Sequence, residues 1–575
     1  MVMSSLSRRR AEQVAIGWQL TPLGALLLVA FFVPLSLLFA YSFWTQSGFE
    51  VVREFTLASY VTALTDTFYL RLLVKSLLIG AVVASLSVAL AYPFAYAATF
   101  RFPRARGVLL FAALLSMFTS YLVRVYAFQT ILGETGVINA FLMWVGLIDV
   151  PLSFLLFNSF AVIVTLTNVF LPYVLLPIWA AMQGVERNHL EAARDLGASS
   201  FAAFWRVVVP ATRNGARAGF LFAFVLAAGD YVTPTLVGGP AGTMIGREVA
   251  VAFGLMNDYP LGAALAFVLL FAFGLAAWGL PFLLGHLPRP GSVRRILGAF
   301  LRASGRARLP GARFWAHLYV GAVLVFLFAP LVIIILLSFN SSSVPSFPMR
   351  GLTLHWYESV FSNESFRTAL VTSLKIAAAT ALIAAVIGTL AALAFARHTF
   401  RARGFLMALL FAPLAMPGLI TGVAMLTIYV ALGMALSTTT IMIGHLVYAT
   451  PFVVLAIVAG LSDLDPSLEE SGRDLGRGPF GVFRKVTLPL VFPVIAGAAF
   501  VAAALSLDEF IITNFVSGST VTLPLYIWSK LRIGVTPDTN AVGTLILVGL
   551  TVLSLAAWYI TRLTSTFFSR GGESK

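Results

Sequence analysis

The chain has 575 residues, 59% hydrophobic and 11% charged, with a mean hydropathy of +0.94. A soluble protein carries about 25% charged residues, so this composition excludes a free globular domain and requires lipid over most of the surface. The formal charge of +15 sits in short loops between apolar runs, a topology signal rather than a nucleic-acid footprint, and the lack of cysteine excludes disulfides, thiolate metal sites and cysteine nucleophiles.

In chain order, residues 1–17 read as a tail that carries Arg8, Arg9 and Arg10. The apolar run from about Trp18 to Trp44 is longer than a signal-peptide core of about 7–15 residues, so it reads as an uncleaved first span. Counting runs of about 20 apolar residues predicts an all-α polytopic membrane protein with twelve transmembrane helices. In the first half, 18–284, they fall near 18–43, 72–99, 108–131, 155–181, 215–237 and 262–284. In the second half, 314–566, they fall near 314–338, 367–396, 405–431, 440–461, 492–515 and 541–565, before a tail at 567–575. Lys/Arg bias places the N-terminal arginines, Arg101, Arg104, Arg106, Arg401, Arg403, Arg562 and Arg570 on one side, the expected cytoplasm, with both termini there.

The linker 285–313 has several arginines and no acids. Ile296, Leu297, Phe300 and Leu301 either face lipid while the arginines meet anionic headgroups, or the stretch is a solvated connector under the positive-inside rule.

Two polar islands repeat. Residues 191–210 read EAARDLGASSFAAFWRVVVP and residues 470–489 read ESGRDLGRGPFGVFRKVTLP, related by one offset, 470 − 191 = 279. Glu191, Ala192, Ala193, Asp195 and Gly197 of the first copy match Glu470, Ser471, Gly472, Asp474 and Gly476 of the second. Each copy predicts a short helix, a left-handed glycine just past its end, and a second helix. Asn188 is the expected cap of the first helix and Ser199 or Ser200 that of the next, with Pro210 interrupting beyond; the second copy opens on Asp465-Pro466 and restarts at Gly478-Pro479. A further repeat pairs Arg104-Ala105-Arg106-Gly107 with Arg401-Ala402-Arg403-Gly404, and Ser76-Leu77 with Ser373-Leu374, at an offset of 297. The difference, 297 − 279 = 18, predicts an insertion of about that size in the first half, within 132–153. Six spans per half set both halves the same way up, as a parallel repeat about an axis along the membrane normal.

The E-A-A, three residues, Gly, nine residues, apolar-x-apolar-Pro pattern resembles the EAA loop of binding-protein-dependent ABC importer permeases. The flanks FTSYLVRVYAFQTILGETGVINAFLMWVGLIDVPLSFL (118–155), DYVTPTLVGGPAGTMIG (230–246), LSLDEFIITNFVSG (505–518) and LPLYIWSKLRIGVTPDTNAVGTLIL (523–547) are similar to the spermidine/putrescine type. The resemblance implies two permease subunits fused in one chain, in a type I importer fold at the bacterial inner membrane. It also implies two copies of an ABC ATPase at the loops, an extracytoplasmic solute-binding protein, and ATP and Mg held by the ATPase. Ser471-Gly472 departs from the family's Ala-Ala; Gly472 loosens the helix by up to about 1 kcal/mol relative to Ala.

No G-x-x-x-x-G-K-[ST] phosphate loop appears, and the six histidines show no metal-ligand spacing, so a partner protein or an ion gradient must supply energy. Ionisable residues inside spans are functional candidates by their cost in lipid. They are Asp230 in the fifth span and Asp508 and Glu509 in the eleventh, with Asp230 matching Glu509 at the 279 offset. With Tyr121, Tyr126, Tyr231 and Phe510 nearby, they suit a polyamine through charge pairing and cation–π contact. Equally, they pair with Arg124 or cap broken helices, and Arg124 either snorkels or forms part of a gate. Three classes stay open on residues alone: an importer permease, a gradient-driven secondary transporter, and a membrane enzyme or scaffold, the last without a visible reactive cluster. The resemblance favours the first, for a polyamine or for iron(III), thiamine, an opine or another small organic solute.

Overall fold

The computed structural model describes residues 2–552, except Phe49, Ser199, 287–311, 343–348, Arg350 and 534–535, together with Leu555. Most of the linker and the C-terminal tail therefore lie outside the described residues. Eight described helices are long and apolar enough to cross a membrane: Val14–Tyr41, Thr67–Arg101, Ser159–Gln183, Tyr259–Gly279, Phe314–Leu337, Glu364–Arg397, Thr438–Ser462 and Pro479–Asp508. The first continues a helix that begins at Val2, so the expected tail is helical.

The other four expected spans, and the end of the eleventh, differ in an informative way. The third is split into Arg106–Leu115 and Tyr121–Leu132, and the ninth into Arg403–Phe411 and Gly418–Ala431. Arg213–Ala228 of the fifth ends at Gly229, and the eleventh ends at Asp508, seven residues short of the expected 515. The twelfth is helical to residue 552, and the rest of it lies outside the described residues. Interrupted helices at this depth are tolerated only where protein or a cavity satisfies the freed backbone groups, so the breaks point to a site.

Both halves are built on one plan. Thr67–Tyr96 packs against Ser159–Gln183 and Arg213–Ala228, while Glu364–Arg397 packs against Thr438–Ser462 and Leu488–Asp508. Ser76 Oγ accepts from the Ile245 amide at 2.8 Å, and Ser373 Oγ accepts from the Leu523 amide at 2.8 Å, the same tie in each half. The first spans cross over. Val33–Tyr41 lies on Gly418–Ala431, and Ala312–Leu337 lies on Tyr121–Leu132. Buried polar bonds fix that exchange: Tyr319 Oη donates to Leu90 O at 2.7 Å and Asn168 Nδ2 to Phe326 O at 2.6 Å. The expected insertion holds the helix Val137–Trp144, closed by Asn139, whose Oδ1 accepts from the Leu152 amide at 2.8 Å and whose Nδ2 donates to Gly133 O at 3.0 Å.

Pro210 and Pro489 each follow a π-turn, Phe204–Val208 and Phe483–Thr487. Proline lacks the N–H and crowds the carbonyl four residues back. A single wide turn absorbs that conflict: the second copy runs on unbroken to Asp508, whereas the first passes Pro210 only as far as Ala211 and restarts at Arg213 after Thr212, the interruption expected beyond Pro210.

Candidate functional site: a central carboxylate cavity and two paired loops

The four breaks meet between the halves around a cavity of about 1320 Å³, counting the part open to solvent. Tyr121, Arg124, Asp230, Tyr231, Asp508, Glu509 and Phe510 all line it. Each carboxylate also answers backbone donors freed by a break. Asp230 Oδ2 accepts from the Thr233 amide at 3.0 Å. Its Oδ1 accepts from Tyr121 Oη at 2.7 Å, and that hydroxyl lies 2.9 Å from Thr233 Oγ1. Glu509 repeats the arrangement at the 279 offset: Oε1 accepts from the Ile512 amide at 2.8 Å and Oε2 from the Thr513 amide at 2.9 Å. Asp508 works across the halves, both oxygens 3.1 Å from the Tyr121 amide at the start of Tyr121–Leu132. A carboxylate at a helix N-terminus is favoured by the dipole and the unpaired amides there.

Arg124 is 1% exposed. Its Nη2 donates to Thr119 O at 3.2 Å and its Nη1 to Val169 O at 3.4 Å, while Nε has no hydrogen-bond partner among the described residues. Three carboxylates against one guanidinium leave a formal cavity charge of 1 − 3 = −2. Aromatic rings stand among its aliphatic walls: Tyr231 stacks with Phe510 at 6.4 Å between centroids, and Phe170, Tyr173, Phe222, Tyr448 and Phe452 also line it. Tyr126, an expected neighbour of the site, instead buries its hydroxyl against Asn540 Oδ1 at 2.5 Å.

Sequence reasoning missed Tyr173 and Tyr448, which sit in unbroken apolar runs. It also missed His445, which stands behind Glu509. His445 Nδ1 lies 2.6 Å from Ser506 Oγ, and Nε2 lies 2.8 Å from Thr513 Oγ1 and 3.7 Å from Glu509 Oε2. A histidine in the middle of an apolar span was the available signal.

The paired loops take the same shape twice. Arg187–Asp195 ends in Gly197 at φ 82°, and Pro466–Asp474 ends in Gly476 at φ 78°. Past each glycine an amide reaches back five residues: Ala198 N to Ala193 O at 2.9 Å and Arg477 N to Gly472 O at 3.3 Å. That is the Schellman closure, which needs the left-handed residue. Asp465 caps the second helix through the Ser467 amide at 2.9 Å, and that bond holds its carboxyl below the usual range. In the first copy the helix starts at Arg187, so the cap position is Glu186, and Asn188 lies inside the first turn. Leu196 and Leu475, each just before its glycine, are 89% and 81% exposed.

The family model described as "binding-protein-dependent transport system inner membrane component" matches residues 87–289 and 384–564. The chain is 37% identical over 243 residues to the putrescine transport system permease protein PotI of Escherichia coli K12, covering 41% of this chain and 86% of that one. It is 33% identical over 245 residues to the spermidine/putrescine transport system permease protein PotC of the same strain, covering 42% and 92%. It is likewise 33% identical over 261 residues to the spermidine/putrescine transport system permease protein PotB, covering 45% and 91%.

Proposed function

The chain belongs to the family of binding-protein-dependent transport system inner membrane components, and from that premise we propose that it forms the translocation path of an ATP-driven polyamine importer. It is a multi-pass inner-membrane permease made of two fused family units. In this reading, residues 18–284 and 314–566 are the two permease halves, and both termini and the linker 285–313 face the cytoplasm. Glu191–Gly197 and Glu470–Gly476 dock on two ATPase subunits, which hold ATP and Mg. An extracytoplasmic binding protein delivers the solute to the opposite face.

The observation that carries the substrate class is the cavity. Its formal charge of −2, set among aromatic faces, matches a flexible cation with two or more ammonium groups. The similar permeases named for putrescine and spermidine support the same reading.

The test is uptake of radiolabelled putrescine and spermidine by proteoliposomes that contain this chain, its ATPase and its binding protein. Saturable, ATP-dependent uptake competed by unlabelled polyamine is expected. A complex that hydrolyses ATP and imports thiamine or iron(III) but no polyamine would overturn the substrate while leaving the permease assignment standing.

A further inference from the structure

The two loops are alike in backbone, but the links that join them to the membrane part differ in chemistry. Glu469 lies in the second loop helix, one residue before Glu470, and is 7% exposed. Its Oε1 accepts from Arg397 Nε at 3.1 Å and from Thr487 Oγ1 at 3.0 Å, with Arg397 Nη2 also at 3.0 Å. Arg397 is the last residue of the spanning helix Glu364–Arg397, where the helix dipole favours a cation. Thr487 ends the π-turn that leads into Leu488–Asp508. One carboxylate oxygen thus joins the loop helix to two membrane-spanning helices.

The first half has none of this chemistry at the matching positions. The 279 offset takes Glu469 to Leu190 and Thr487 to Val208, and the 297 offset takes Arg397 to Phe100. Leu190 and Val208 are buried in the main apolar core, which runs through both halves, and Phe100 packs against that same core. A charged triad in one half stands where an apolar triad stands in the other.

We propose that Glu469 is a positioning residue that ties the second loop to helix Glu364–Arg397, so that the two loops transmit motion through unlike links. One is an ion pair and the other apolar packing. The proposal rests on the reading of both loops as ATPase contacts. The links fail differently. Arg397 and Glu469 are partly and almost wholly buried; removing one partner of such a pair leaves an uncompensated charge, whereas replacing the whole group with packed apolar residues is often neutral or stabilising. A single charge change therefore disconnects the second loop alone, and transplanting the apolar triad reconnects it.

The cysteine-free chain allows a direct test. Leu475→Cys and, separately, Leu196→Cys are spin-labelled in the full chain in lipid nanodiscs, and label mobility is read by electron paramagnetic resonance. Glu469→Gln is expected to mobilise the label at 475 and leave the label at 196 unchanged. The triple variant Arg397→Phe, Glu469→Leu, Thr487→Val is expected to return the 475 label to wild-type mobility. In the complex with ATPase and binding protein, solute moved per ATP hydrolysed is expected to fall about tenfold in Glu469→Gln and to recover in the triple variant, a change in the range of ordinary site-to-site coupling.

An unmoved 475 label in Glu469→Gln overturns the tie. Equal mobilisation at 196 also overturns it, since the lesion is then global. A triple variant as mobile as Glu469→Gln overturns the equivalence of the two links. The nanodisc measurement needs no ATPase, so loss of ATPase binding to the wild-type chain would count against the docking reading alone.

Discussion

Asp230, Asp508 and Glu509 each do two jobs at once, and substitution separates them. Their oxygens cap freed backbone amides, and their charges set the cavity's polarity. Asn at 230 or 508 and Gln at 509 keep an acceptor for the amide and remove the charge. These three variants are expected to lower polyamine uptake while changing thermal stability little. Alanine at the same sites removes the cap as well, at a further cost of about 0.5–2 kcal/mol. Uptake assays beside thermal unfolding in detergent check this. If the Asn and Gln variants transport normally and only the alanines are impaired, the carboxylates are helix caps and nothing more. The joint between the halves is also asymmetric at this scale. The offsets match Asp508 to Gly229 and Tyr121 to Gly418, yet only Asp508 reaches across as a cap. Opposite it, Gly229 presses on Pro417, where a Cβ would lie 2.5 Å from the ring Cγ.

At the scale of elements, the loop glycines are demanding because of their backbone alone. Both have φ near 80° and open space around the missing Cβ, so a side chain there meets backbone strain rather than a steric neighbour. Valine at Gly197 and Gly476 is expected to cost roughly 1–2 kcal/mol at each site, to unwind the Schellman closure, and to lower transport while the chain still inserts. Co-purification of the ATPase with the double variant, together with its ATP turnover, checks this; normal binding and cycling would sink the docking assignment. The repeat made these glycines legible, because the same residue at one offset in two loops asks for one conformation. It carried more than was read from it. Asp465 less 279 is 186, so the second copy's cap already pointed to Glu186 rather than Asn188. The helix breaks were harder to see. A count of apolar residues averages over Gly229-Asp230 and over Pro413 and Pro417, because hydrophobic residues flank them on both sides. The cavity aromatics Tyr173 and Tyr448 were hidden for a related reason: in an apolar helix, sequence alone does not say which face meets lipid and which meets the path.

Across the whole molecule, each half is completed by the other. The first span of one half lies on the second half's helices, and the reverse holds for Ala312–Leu337. Separating the halves would strand buried polar groups, among them Asn168, whose side chain donates to Phe326 across the boundary. In a membrane, close packing and such bonds hold helices together, since lipid is as apolar as leucine. The cavity is enclosed by residues of both halves, Tyr121, Asp230 and Tyr231 from one and Asp508, Glu509 and Phe510 from the other. One chain therefore supplies both walls of the cavity and both paired loops, and a second copy would add a second cavity rather than complete the first. The expected assembly is one such chain with two ATPase subunits. Native mass measurement of the solubilised complex checks it, with the binding protein omitted so that the count concerns membrane and ATPase parts alone. Two chains to two ATPases would mean that each chain engages a single ATPase. One loop of each pair would then be idle, and the equivalence of the two glycine closures would need another cause.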